Sequence, residues 1–291
     1  MSSKNVVLVG CGDIGRRIAK QLIADGMLLE SIRAIVKSEQ SVGLCKELGV
    51  QAAQIDLDKE IVLPDRIHGA QLFYLVPPQK EGLEDLRSRE FIRSLTAQNL
   101  IPSKVVLIST TGVYGDSQGE WVTEQTATKP KVDRAVRRLD AEQQWQIWCD
   151  LFETGLTILR VVSIYSNSRI PIQRIESGSP VVIANECGYS NRIHADDLSA
   201  VAIAALADAV NGDVFNVSDG TPSKISEYLQ EVASLMGAKS LPEMTMKEAK
   251  ERLSDGMLSY LIESRKISNQ KMLNKLKVAL RYPDFKVGLR H

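Results

Sequence analysis

The sequence is poor in the residues that build metal sites and cross-links. Its three histidines, His68, His194 and His291, are dispersed, and its four cysteines, Cys11, Cys45, Cys149 and Cys187, form no CxxC pair. Zinc ligands recur at short, repeated spacings, so no metal is expected. The cysteines read as reduced thiols of a cytoplasmic protein. An excess of charge is lacking too. Lys+Arg and Asp+Glu both number 36, which gives no electrostatic reason to expect nucleic acid or an anionic membrane as the main partner. No long apolar run is present either. The longest, Ala200 to Ala207, is far shorter than the ~20 residues that cross a bilayer and reads as a buried helix. No signal peptide is expected, because an apolar strand begins at Val6. There is no internal repeat and no low-complexity tract.

What is present is a chain of 291 residues, 44% hydrophobic, large enough to bury a core without staples. Its first half alternates short β-branched runs with amphipathic segments, the rhythm of a parallel sheet wrapped by helices. Strands are predicted at Val6–Val9, Ile32–Val36, Gln51–Ile55, Leu72–Val76, Val105–Ser109, Thr157–Tyr165 and Val214–Val217. Helices are predicted at 13–25, 41–48, 87–98, 133–152 and 196–209. In the first of these, Ile14, Ile18 and Leu22 share one face and Gly26 ends the helix. Residues 166–190 carry Pro171, Gly178 and Pro180 and break the rhythm, and from Thr221 the chain is mostly helical.

Between the first strand and helix lies Gly10-Cys11-Gly12-Asp13-Ile14-Gly15. A GxGxxG alone is weak evidence, but here an apolar strand precedes it and an amphipathic helix follows it. Gly10 permits the sharp turn, Gly12 lets the backbone approach a pyrophosphate, and Gly15 lets the helix sit close to the sheet. The N–H groups of Asp13 and its successors would face the phosphates at the positive end of the helix. The end of the second strand distinguishes NAD from NADP. It reads Val36-Lys37-Ser38 with no acid before Glu39, so Lys37 favours a 2′-phosphate and NADP. NAD is the alternative, with Lys37 a solvated loop lysine.

Several segments together resemble the extended short-chain dehydrogenase/reductase family, the NAD(P)-dependent sugar epimerases and dehydratases, over nearly the whole chain. Ile55-Asp56-Leu57-Asp58 is similar to the family's adenine-contacting acidic turn, and Val76-Pro77 to the strand end beneath the cofactor. Ser109-Thr110-Thr111-Gly112-Val113-Tyr114-Gly115 is similar to its Ser-Ser-x-x-Val-Tyr-Gly segment. Ile193-His194-Ala195-Asp196-Asp197 and Phe215-Asn216-Val217 resemble two further family segments. The resemblance implies an α/β, Rossmann-type doubly wound parallel sheet of about seven strands with a small, discontinuous C-terminal substrate domain. Residues 1–165 would form the dinucleotide domain, with 191–220 returning to it, and 166–190 and 221–291 would supply the substrate-domain pieces. It also implies a homodimer through helices 87–98 and 133–152, where Trp145, Trp148 and Leu139 could form an apolar stripe. Burial inside the monomer is the other reading of those tryptophans.

The family's chemistry uses a Tyr-x-x-x-Lys pair, in which the tyrosine shuttles a proton and the lysine lowers its pKa and holds the nicotinamide ribose. Thr110 matches the hydroxyl role, Glu124 falls where many members carry an acid, and Glu142 matches a glutamate four residues past the lysine. These anchors set Arg138 at the lysine position and Arg134 at the tyrosine position. No tyrosine occurs between Tyr114 and Tyr165, and the literal match Tyr282 to Lys286 lies at the far end of the chain. An arginine cannot act as a general acid–base. Arg138 can still donate to ribose hydroxyls, and Arg134 would set a fixed cation beside the nicotinamide. The chain thus resembles an atypical branch.

Tyr114 is a substitute acid or a packing residue. His194 reads as a loop-holding residue and Cys11 as a small filler. The expected catalytic set is Thr110, Tyr114, Arg134 and Arg138. The expected cofactor set is Gly10, Gly12, Asp13, Ile14, Gly15, Lys37, Asp56, Leu57, Val76, Pro77, Ser109 and Arg138. The expected function is an NAD(P)-dependent oxidoreductase or epimerase acting on a small polar or anionic substrate, such as a sugar nucleotide. Arg134, Arg138, Arg169, Arg174 and Arg192 would supply the positive potential. The alternative is a non-catalytic NAD(P)-binding sensor.

Overall fold

Seven short runs, five of them rich in β-branched residues, pair into one all-parallel sheet, in a computed structural model that describes residues 5–290. The strands are β1 (Val6–Val9), β2 (Ile32–Val36), β3 (Gln51–Gln54), β4 (Gln71–Tyr74), β5 (Lys104–Thr110), β6 (Gly155–Val161) and β7 (Asp213–Val217). Their spatial order is β3-β2-β1-β4-β5-β6-β7. The order reverses beside β1, whose Val9 stands level with Ile35 of β2 and Tyr74 of β4. Ligands of doubly wound sheets bind outside the carboxyl ends of the strands at such a reversal.

Alternation along the strands divides the apolar side chains between two faces. Val6 and Leu8 join the core under α1 (Asp13–Ala24) and a helix at Ala195–Asp208, through Ile18, Leu22, Leu198 and Leu206. Val7 and Val9 join the opposite core, under α3 (Leu86–Ala97) and α4 (Asp133–Leu151), through Phe91, Leu95 and Trp145. A shorter α2 (Glu39–Lys46) contributes Cys45 to the first face. The fold class expected from the sequence is the one found.

Two local expectations are corrected. The run at 157–165 is not one strand. It breaks at Val162 into β6 and a short piece, Ser163–Tyr165, which leaves the sheet to pair with Arg192–His194. Trp145 and Trp148 do not form an outward stripe. They are 0% and 4% exposed and pack within the monomer against Tyr74, Phe91 and Phe152. The residues that α4 turns outward are Ile147 and Leu151.

The irregular segments interleave. Val181–Val182 pairs with Glu243–Met244, and Tyr189–Ser190 pairs with Ser223–Lys224. Between them lies a small core of Tyr165, Ile175, Tyr228, Leu229 and Phe285. Lys266–Ile267 then pairs with Trp121–Val122, and Met272 and Leu276 rejoin the main core. All four cysteines are buried and unbridged. Among the described residues no cluster suits a metal ion, and no helix is long and apolar enough to cross a membrane.

Candidate functional site

The glycine turn caps the C-terminal end of β1, and each glycine meets a different constraint. Gly10 has φ +84°, and a Cβ there would stand 2.9 Å from Val76 Cγ2. Gly15 presses α1 onto the turn, with a notional Cβ 3.1 Å from Leu75 Cδ1 and 3.2 Å from Cys11 Sγ. Gly12 is different, because a Cβ there would meet only the Gly10 carbonyl, at 3.9 Å. That open space, beside a helix N-terminus with no side-chain cap, is a cradle suited to a phosphate. The first backbone bond into α1 runs from Arg16 N to Gly12 O, 3.0 Å. The N–H groups of Asp13, Ile14 and Gly15 precede it and remain open.

A cavity of about 260 Å³ lies against this turn, lined by Gly10, Gly12, Lys37, Asp56, Leu57, Val76 and Pro77, together with Arg87. The residues present therefore fit a dinucleotide. Asp13, Ile14 and Gly15 are not in its wall; they follow Gly12, which is, at the start of α1. The Asp13 carboxylate turns away to Arg17 at 3.0 Å and Arg169 at 2.7 Å. Burial would raise its pKa, but these hydrogen bonds outweigh burial and hold it below the ordinary carboxylate value. Cys11 is a filler, since burial first, and then Cys45, push its thiol well up.

Lys37 does not stand free for a 2′-phosphate, contrary to the sequence expectation. Its ammonium reaches Asp56 at 3.1 Å and Asp58 at 2.5 Å. Asp58 is in turn gripped by Arg87, Nε to Oδ1 at 2.6 Å and Nη2 to Oδ2 at 2.8 Å. The Arg87 hydrogen bonds are the largest cause holding the Asp58 carboxyl far below its usual range, with Lys37 adding to them. Two cations and two carboxylates thus neutralise each other at this rim.

Pro77 also lines a second, larger cavity of about 550 Å³, so the two spaces meet at the end of β4. Thr110, Arg134 and Arg138, the residues set by the family resemblance, line it, and Arg137, Arg265 and Tyr260 join them. The Thr110 hydroxyl oxygen accepts from Gly112 N at 3.2 Å, which leaves its proton free to donate. Arg138 Nη1 donates to the Val76 carbonyl at 3.2 Å, bracing the strand end. Arg134 does not lie as a fixed cation along the floor. It crosses the cleft, with its guanidinium 4.0 Å from the Tyr260 ring centroid and Nη2 donating to Ser259 Oγ at 3.1 Å.

Ser109 and Tyr114 are not brought to either cavity. Ser109 Oγ donates to Glu142, which also holds Arg160 through Nη2 at 2.7 Å. Tyr114 is 2% exposed. Its hydroxyl donates to Asn216 Oδ1 at 2.8 Å and accepts from Arg160 Nη1 at 3.0 Å. Burial raises its phenol pKa despite Arg160. A hydroxyl so occupied cannot reach a substrate oxygen, so the substitute-acid role is withdrawn. Glu124 accepts from Asn216 N at 2.8 Å. His194 caps the helix at 195 by accepting from Asp196 N at 3.2 Å, the loop-holding role expected of it. Burial lowers its pKa.

Three of the arginines assigned to the cleft are also corrected. Arg169 pairs with Asp13. Arg174 donates to the Pro180 carbonyl at 3.4 Å. Arg192 stacks on Tyr228 and donates to Ser223 Oγ at 2.6 Å. Sequence reasoning missed Arg137, although it lies three residues from Arg134 and so shares its helical face. It also missed Tyr260 and Arg265, which sequence spacing does not connect to the site.

Residues 89–218 match the NAD dependent epimerase/dehydratase family. No curated protein matches the chain in sequence. Among solved structures, one similar chain is a functionally unknown conserved protein from Silicibacter pomeroyi, with 25% identity and TM-score 0.85, covering 99% of this chain and 97% of that one. The dTDP-glucose 4,6-dehydratase of Bacillus anthracis in complex with NAD has 14% identity and TM-score 0.75, with coverage of 99% and 94%. The UDP-glucuronic acid 4-epimerase of Bacillus cereus in complex with NAD has 16% identity and TM-score 0.75, with coverage of 98% and 95%.

Proposed function

We propose, on the premise that this chain carries a domain of the NAD dependent epimerase/dehydratase family, that it binds NAD and acts on a small anionic substrate in the adjoining cleft. The observation that carries the reading is the meeting of two cavities at Pro77, one beneath the glycine turn and one lined by the arginines of α4. A dinucleotide held at its adenosine end in the first would bring its nicotinamide to the second, where it would supply hydride donation or acceptance. The protein's own residues bind and orient. The open N–H groups of α1 would hold the pyrophosphate, Thr110 would donate to a substrate oxygen, and the arginines would fix an anionic group. Sugar nucleotides, the substrates named for the dehydratase and epimerase of similar fold, carry such charge.

The sensor reading has one observation in its favour. At the position matched to the proton-shuttling tyrosine, Arg134 stacks on Tyr260, and Tyr114 is buried elsewhere. Removing a general acid–base typically costs about 10²–10⁴ in rate. Turnover of UDP-glucose or dTDP-glucose, followed by chromatography of the product sugar nucleotide, is therefore expected to be slow or absent while NAD still binds. Turnover at ordinary enzymatic rates would show that another group in the cleft moves the proton.

NAD is preferred over NADP in this account, because Lys37 is already held by two carboxylates. Asp58→Asn should release Arg87 towards a 2′-phosphate and leave Lys37 with one carboxylate, Asp56, in place of two. A charge-assisted contact is worth about 1.5–3 kcal/mol, so NADPH affinity should rise roughly ten- to a hundredfold relative to NADH. Titration by nicotinamide fluorescence reads the ratio. An unchanged ratio, or wild type already favouring NADPH, would contradict the neutralised rim.

A further inference from the structure

We infer that the cleft selects a compact oxyanion, a carboxylate or phosphate carried at the reacting end of the substrate, and that Arg137 is the residue that selects it. The inference rests on the reading of the second cavity as the substrate site. Lys80, Arg134, Arg137, Arg138 and Arg265 line that cavity against one carboxylate, Glu263. Glu263 is already paired with Arg265 at 2.9 Å. Arg134 is committed to Tyr260 and Ser259, and Arg138 to the Val76 carbonyl.

Arg137 differs from these in combining burial with an unpartnered guanidinium nitrogen. It is 5% exposed, yet none of the ion pairs among the described residues includes it. Its Nη1 donates to the Gly82 carbonyl, and its Nε is buried with no hydrogen-bond partner. A guanidinium taken out of water without a counter-charge is costly, and buried polar groups are normally satisfied. Among the described residues no carboxylate stands within ion-pair distance of this guanidinium. An anion entering from the cleft would supply both the charge and the acceptors, and a guanidinium fork suits a carboxylate or phosphate.

The position narrows the substrate further. Arg137 lies on α4 and lines the cavity that Thr110 and Pro77 also line, and Pro77 borders the dinucleotide space as well. The arginines of the interleaved C-terminal segments, Arg169 and Arg192, are engaged elsewhere. The negative group is therefore read beside the reacting atoms, which disfavours a neutral polyol.

The test is calorimetric titration of the whole protein, saturated with NAD so that its phosphate cradle is filled, with inorganic phosphate, malonate and uridine. The wild type should bind phosphate or malonate and give no heat with uridine. Arg137→Gln should weaken the anion at least roughly tenfold and leave NAD affinity unchanged. Arg137→Lys keeps the cation but loses the fork, so it should fall between the two, and it serves if the glutamine variant does not fold. Uridine binding without either anion, or equal anion affinity in wild type and both variants, overturns the assignment. Failure of the wild type to bind NAD would instead sink the function proposed above.

Discussion

Gly12→Val is expected to give a folded protein that has lost its cofactor. The backbone at Gly12 has φ −78°, outside the left-handed region that favours glycine, with ψ −146° somewhat beyond the ordinary β range. A side chain there enters open space and meets only one carbonyl at contact distance. The stability change should therefore be about 1 kcal/mol, the cost of the unusual ψ for a branched residue, small enough to leave the protein folded. The branched side chain occupies the room a pyrophosphate needs for close backbone approach, so affinity for NADH should fall by at least roughly a hundredfold, or about 2.7 kcal/mol. Gly10→Ala is the contrast. With φ +84° and Val76 at 2.9 Å, it should lower the melting temperature before it alters binding. Parallel melting and NADH-fluorescence measurements separate the two effects. Retained binding in Gly12→Val would remove the phosphate from this turn.

Glu142→Ala should be the most damaging single change to the fold. Glu142 and Arg160 side chains are only 5% and 10% exposed, and the carboxylate receives Nε and Nη2 of Arg160 as well as the Ser109 hydroxyl. Arg160 in turn steadies Tyr114, which reaches Asn216 on β7. Removing one partner of a buried pair leaves the other charge uncompensated, at a cost of about 3–5 kcal/mol. At the size of this chain that corresponds to a fall of very roughly 10 °C in melting temperature. The double change Glu142→Leu with Arg160→Met should recover part of it, because paired apolar replacements are often tolerated. Thermal unfolding checks both. A loss below about 1 kcal/mol for Glu142→Ala would mean that the network is not a support of the β5–α4–β6 region.

The fold was readable because most of its sheet strands are short apolar runs punctuated by turn residues, and β1 and β2 match their expected bounds to the residue. The break at Val162 was not readable. The run continues apolar while the chain leaves one sheet for another pairing, and nothing local marks the change of partner. At the site, the glycine turn was legible because its constraint is local backbone geometry. Lys37 was misread for the opposite reason. Its partners lie 19 and 21 residues away on another loop, and the sign of a site depends on charges that spacing does not connect. Arg137 was within reach of helical periodicity, but its lack of a counter-charge appears only when α4 is set against the loop that carries Gly82.

The account stands most directly on cofactor binding. Titration of the purified, metal-free protein with NADH, followed by fluorescence, should show one saturable site per chain. Gly12→Val should abolish it, and NADPH should compete more weakly than NAD. If neither dinucleotide binds the wild type, the cavity beneath Gly10 and Gly12 is only a tight turn and the proposed function fails with it.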